Sequence, residues 1–200
     1  MNQIPVDLNV FRDDAELKYM ARHRQESGLR FIGNVHVKHT RKDKVLWDAW
    51  EPEHNTFTTE GMAYLLNIIF GTTSKTGAAI WYVGIFKNDV TPAVGDTAAT
   101  KLGAAGTYGE CQDSDYDSPA TNKPAYTIAS TSTATCTNAA SKATFVIAAS
   151  ITVYGAFLGD AAAKTATSGK LMCAKRFASS RAVIADDELA VTYAITCTTS

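Results

Sequence analysis

The sequence predicts a mainly β protein: an antiparallel β-sandwich or jelly-roll-like body with one short amphipathic helix, preceded by an extended or helical N-terminal arm. Three observations carry this reading. Strand-like apolar runs follow one another through the last third of the chain with no helices alternating between them, which points to antiparallel packing rather than a parallel α/β sheet. Residues 61–200 are rich in Ala, Thr, Ser and Gly and poor in long charged side chains, a composition that suits strands and loops better than helices. Residues 1–60, by contrast, carry nineteen of the charged residues and all four histidines, whereas all four cysteines fall later. No Pro/Gly/Ser linker separates the two parts, so the expected organisation is an arm over residues 1–30 and a β-rich body over residues 31–200.

Taken in order, residues 1–12 read as extended. Asp13 and Asp14 open a short helical stretch to about Gln25, with acids at its start and Lys18, Arg22 and Arg24 later, as the helix dipole favours. Its apolar content (Ala15, Leu17, Met20, Ala21) is thin, so it needs a partner surface to be stable. Gly28 supplies a stop. The run from Phe31 to Val37 alternates apart from Gly33, the polar turn Arg41–Lys44 follows, and Val45–Trp50 completes a β-hairpin. A helix begins near Glu60, because Met62, Leu65, Leu66, Ile69 and Phe70 recur at three- and four-residue intervals. Thr58 or Thr59 can cap it and Gly71 can end it.

The continuous apolar run Ile80–Phe86 reads as a central buried strand. Residues 88–142 are loop-like, with Tyr126–Ile128 as a short strand candidate and further strands that the pattern does not place. Ala143–Ile147, Ile151–Leu158, Lys170–Phe177 and Leu189–Ile195 complete the strands, with turns at 160–169 and 186–188.

The whole chain bounds function as follows. It has 200 residues, a formal charge of −1, 46% hydrophobic and 20% charged residues. That balance excludes wholesale disorder and a basic nucleic-acid binder, and its apolar runs are far short of the ~20 residues a membrane helix needs. The first residues lack the basic start and apolar core of a secretion signal, which sets the expectation of a reducing cytosol. Cys111, Cys136, Cys173 and Cys197 lack the close pairing that zinc ribbons use. Four free thiols are expected, with one or two disulfides as the alternative.

Several candidate sites fail their own chemistry. Asp113-Ser-Asp-Tyr-Asp117 begins like a calcium loop, but Ser118 and Pro124 stand where an EF-hand needs Gly and Glu. Gly103, Gly106 and Gly109 have the wrong spacing for a dinucleotide loop and read as a flexible segment. His36 and His39 are three apart on a strand, so they face opposite sides and read as solvated or interface residues rather than a metal pair. Lys38, Arg41, Lys42 and Lys44 read as a solvated hairpin tip. No nucleophile–base set is visible, so the expectation is a protein that is not an enzyme, with no catalytic residues, metal site or cofactor.

The order of elements carries a resemblance. Asn55-Thr-Phe-Thr-Thr-Glu-Gly61 leads into a Leu-rich helix, followed by Trp81–Phe86, Ala143–Ile147, Tyr154–Leu158, Gly169-Lys-Leu171 with Phe177, and Asp187–Tyr193. Over roughly residues 30–195 this resembles the small structural virion proteins of tailed bacteriophages. The resemblance implies a capsid cement or decoration protein that binds the major capsid protein as a symmetric homo-oligomer, with a trimer as the family-based guess. It implies no direct nucleic-acid or membrane contact, and a virion location after assembly in the host bacterial cytoplasm. The alternatives are a tail, head–tail connector or fibre-base protein at the portal vertex, and a carbohydrate-binding β-sandwich stacking sugars on Tyr108, Tyr116 and Tyr126.

Overall fold

The computed structural model describes residues 29–71, 81–128 and 133–199. The chain divides into two units, Met1–Phe31 with Cys197–Ser200, and Ile32–Thr196. The expected arm, with its helix from Asp13, lies outside the described residues except at Leu29 and Arg30.

The body is an antiparallel β-sandwich. The strands are β1 (Leu29–Arg41), β2 (Lys44–Trp50), β3 (Thr56–Phe57), β4 (Tyr82–Phe86), β5 (Tyr116–Ser118), β6 (Thr135–Thr137), β7 (Ala143–Ile147), β8 (Ile151–Gly159), β9 (Leu171–Val183) and β10 (Glu188–Thr199). One sheet has the order β2-β1-β10-β7-β5, with β6 also paired to β10; the other has the order β3-β9-β8-β4. Helix α1 (Thr59–Phe70) is the expected amphipathic helix, capped by Thr58, whose Oγ1 accepts the Gly61 N–H at 3.0 Å. A four-residue helix, α2 (Ala98–Lys101), was not anticipated.

Alternation builds the core. β1 buries every second residue, Gly33, Val35, Val37 and His39, and β7 buries Ala143, Phe145 and Ile147. Val35, Val37, Ala143, Phe145 and Ile147 meet Val153 and Leu158 of β8 and Phe177 and Val183 of β9 in one apolar cluster that joins the two sheets. A second cluster lies on β4, β8 and β9, where Phe86, Phe157, Leu171 and Ala174 pack against Ala98, Leu102 and Tyr108. The four-stranded sheet is therefore covered on both faces, which is why β4 reads as an unbroken apolar run.

Glycines make room for the aromatics of this second cluster. Gly84 pairs with Phe157 and Phe86 pairs with Gly155 across β4 and β8. Each ring lies over the opposite glycine: a Cβ on either Gly84 or Gly155 would come within 2.1 Å of the facing ring.

Several expectations are corrected. β4 is buried but is an edge strand, not a central one. Its open edge is closed by the segment 109–126: the Cys111 N–H donates to Ile85 O at 3.0 Å, the Val83 N–H to Pro124 O at 2.9 Å, and the Tyr126 N–H to Trp81 O at 2.7 Å. Tyr126–Ile128 is accordingly no strand, since that stretch is spent on covering the edge. β9 and β10 run past the expected ends at Phe177 and Ile195; β9 does so through a bulge, with Gly155 paired to Arg176 and Val153 to Arg181, after which the pairing with β8 continues to Val183. The hairpin turn is Lys42-Asp43, both with positive φ (46° and 64°), as a two-residue type I′ turn requires.

The chain changes sheet between β7 and β8 and again between β9 and β10. The two corners are tied together, the Ile147 N–H donating to Asp187 O at 2.8 Å and the Asp186 N–H to Ile147 O at 2.9 Å. The fully buried Asp187 carboxylate accepts from Arg41 Nε and Nη2 at 2.7 Å each, from His39 Nε2 at 2.8 Å and from the Ile184 N–H at 2.9 Å. Arg41, foremost, and then the Ile184 N–H and His39 hold this carboxyl well below the usual carboxylate range, against the opposing effect of burial.

Two predictions follow from this packing. Asp187→Asn should cost about 3–5 kcal/mol in urea unfolding at pH 7, since it leaves buried donors without their charge. A depressed folded-state pKa stabilises above the ordinary Asp value of ~4 and is lost as pH falls through the lowered value, so wild type and variant should converge towards pH 2. A difference that does not change between pH 7 and pH 2 would contradict this assignment. Gly155→Ala should separately lower stability by about 1–3 kcal/mol through the clash with the Phe86 ring, read as a lower urea midpoint at unchanged slope.

Candidate functional site

The residues singled out in the sequence do not converge on one site. His36 and His39 do face opposite sides of β1. His39 points inward to Asp187, as a buried structural residue rather than a solvated one. His36 lies on the outer face, with Nε2 2.9 Å from Asp48 Oδ1 and its ring edge-on to Trp50 at 5.2 Å. Arg41, read as part of a solvated hairpin tip, is committed to Asp187.

The acidic run 113–117 is divided among different partners. Asp115 is buried and ion-paired with Lys87 Nζ at 2.7 Å, and it also accepts the Gln112 N–H at 2.9 Å. Asp113 is exposed and reaches Lys164 Nζ at 2.9 Å. Among the described residues no group of three His, Cys, Asp or Glu side chains is placed to hold a metal ion.

The glycine run is not a flexible segment. Gly103 and Gly109 take positive φ (95° and 61°), which makes them the turn residues of a compact loop. The buried Glu110 carboxylate fixes that loop: it accepts the Gly103 N–H and the Thr165 N–H at 3.0 Å each, and pairs with Lys123 Nζ at 3.0 Å. Sequence reading missed Glu110 and Lys123, because neither sits in a motif and their partners lie up to 55 residues away.

Tyr108, Tyr116 and Tyr126 are core residues, at 0%, 1% and 8% exposure, so they offer no ring to a sugar. The Tyr108 hydroxyl donates to Asp96 Oδ2 at 2.7 Å. Burial, and then Asp96, pushes its pKa well up. The four cysteines are free thiols. Cys111 and Cys173 are buried, and burial pushes both thiols well above their ordinary range, the opposite of what an attacking thiolate needs.

Exposed large apolar side chains gather on two of the described elements, α1 and β2. α1 was expected to bury its stripe, and Leu65 does pack on the core. Leu66, Ile69 and Phe70, however, stand 50%, 55% and 79% exposed. On the edge strand β2, Val45, Leu46, Trp47 and Trp50 are exposed. A bulge puts Leu46 out of register between the pairs His39–Trp47 and Thr40–Val45. The Trp47 ring carries the Arg181 guanidinium at 3.8 Å, and Arg181 in turn pairs with the buried Glu51 at 3.3 Å. This anchors the edge strand to the opposite sheet through Trp47, while Trp50 lies on the outer face against His36. Contiguous exposed apolar surface of this kind marks interaction sites more often than active sites.

Comparison of the chain with protein-family models, with curated proteins and with solved structures finds no match to any of them.

Thiol chemistry checks the placement of the cysteines. In the native protein Cys111 and Cys173 should resist a thiol reagent that labels all four residues in guanidinium. Rapid native labelling of either one, located by peptide mass, would contradict their burial.

Proposed function

We propose that this chain is a structural subunit of a tailed-bacteriophage virion, a capsid cement or decoration protein that binds the major capsid lattice as a symmetric oligomer. One observation carries the reading most directly: α1 and β2 turn large apolar side chains to solvent on a body most of whose buried charges are spent on internal ties. Such a body has surface to offer a neighbour. Cys111 and Cys173 are buried and His39 pairs with Asp187. Repetition by symmetry multiplies a modest contact into firm attachment, and burying ~800 Å² per partner suffices for a stable interface. In this reading the segment 1–28 lies along a neighbouring subunit.

A tail, connector or fibre-base role at the portal vertex is the second reading, since the same exposed surfaces would serve there. Copy number separates the two: quantitative densitometry of purified particles should give hundreds of copies for a shell protein and about six to eighteen for a vertex part. Deleting residues 1–28 should leave a folded body that no longer binds shells. Wild-type occupancy by the truncated protein would overturn the strap role, and absence of the chain from purified particles would overturn the virion reading itself.

A further inference from the structure

Three lysines have side chains almost wholly out of water: Lys123, Lys164 and Lys175. A buried ammonium is costly unless its three donors are used. Lys123 meets the equally buried Glu110 at 3.0 Å and also donates to Ala163 O. Lys164 meets Asp113 at 2.9 Å, donates to Tyr116 O at 3.0 Å and lies 3.9 Å from the Tyr116 ring centre. Lys175 differs. Its one partner among the described residues is Glu53 Oε2, at 3.5 Å, a distance too long for a strong charge-assisted bond. The Glu53 side chain is 86% exposed, against 7% for Lys175. The cation is held in the protein while its counter-ion is held by nothing.

The same lysine lines a cavity of about 250 Å³ at the edge of the sandwich, between the turn carrying Pro52 and Glu53, the loop carrying Thr91 and Pro92, and Arg176 on β9. The walls are stiff: two of these residues are prolines, and Lys175 lies on a strand next to Ala174, which pairs with Thr56 of β3. Arg176 also lines the cavity, but its charge is paired with Asp89, to whose Oδ1 its Nε donates, which leaves Lys175 as the cation with the distant counter-ion. His54 stands on the rim, with its Nδ1 2.8 Å from Asn34 Oδ1.

We propose that this cavity is a binding site for a small oxyanion, a carboxylate or a phosphate- or sulfate-type group, with Lys175 as its principal ligand and Glu53 as a built-in competitor. The Glu53 carboxylate marks where an anionic group meets the ammonium. A free anion seated there brings oxygens nearer than 3.5 Å and uses donors that Glu53 leaves idle. Glu53, at the solvent boundary, swings away at little cost, because an exposed ion pair at this distance contributes little. This inference does not depend on the virion reading.

The test uses the full-length chain, titrated with sodium sulfate, sodium phosphate and sodium acetate at ionic strength held constant with sodium chloride, and followed by amide chemical shifts. At least one anion should give saturable one-site shifts centred on residues 52–54, 91–92 and 175–176. The tetrahedral and carboxylate arms tell which group the site prefers. Lys175→Met should weaken binding more than tenfold. Glu53→Gln, which removes the competing charge at an exposed position, should tighten it about tenfold. Glu53→Gln binding no tighter than wild type, Lys175→Met binding as well as wild type, or shifts scattered over surface lysines and arginines would each overturn the proposal.

Discussion

The buried carboxylate of Asp187 is the constraint on which the arrangement of the two sheets depends. Among the described strands the chain changes sheet four times, and the corners between β7 and β8 and between β9 and β10 must be held in place without the ladder bonds that fix strands. Asp187 occupies one corner. Its backbone carbonyl takes the N–H of Ile147 at the other, and its side chain takes the end of β1 through His39 and Arg41. Three chain segments far apart in sequence thus meet on one residue. The cost of burying a charge is offset because every donor around it is aimed at it.

The same device recurs wherever a loop must be held. Glu51 joins the end of β2 to β9 through Arg181 and the Ala178 N–H. Glu60 takes the N–H groups of both Ala98 and Leu171, fastening α1 to α2 and β9. Asp96 collects the Ala93 N–H and the Tyr108 hydroxyl, and Glu110 fixes the glycine loop. In the long segment 88–142, Asp96, Glu110, Asp115 and Lys123 are buried and spent on such ties. The described part of that segment is irregular in secondary structure yet anchored at many points. Lys175 breaks the pattern by lacking a fixed partner, and for that reason it stands apart from the other buried cations.

Apolar residues tell the complementary story. Most apolar strand residues face inward, as their period-two spacing implied. Leu66, Ile69 and Phe70 of α1 do not, although the helical stripe is as regular, and Trp50 of β2 also stays in solvent. Periodicity reports that a face is apolar; it does not report whether the covering surface belongs to the same chain. Tyr108, Tyr116 and Tyr126 show the converse, since a loop-like context suggested exposed rings and the fold made them core.

The sequence by itself determined the local elements: the β1–β2 hairpin, a threonine cap of α1 at Thr58 or Thr59, the strands from residue 143 onward and the mainly β character. These follow from side-chain spacing, turn residues and composition, all properties of neighbours along the chain. Only the tertiary structure decided that β4 is a covered edge, that His39 belongs to Asp187, that Glu110 and Lys123 organise the glycine loop, and that Lys175 is left with a distant, exposed partner. Each of these depends on groups tens to more than a hundred residues apart, and no local pattern records which donor will meet which acceptor once the sheets close.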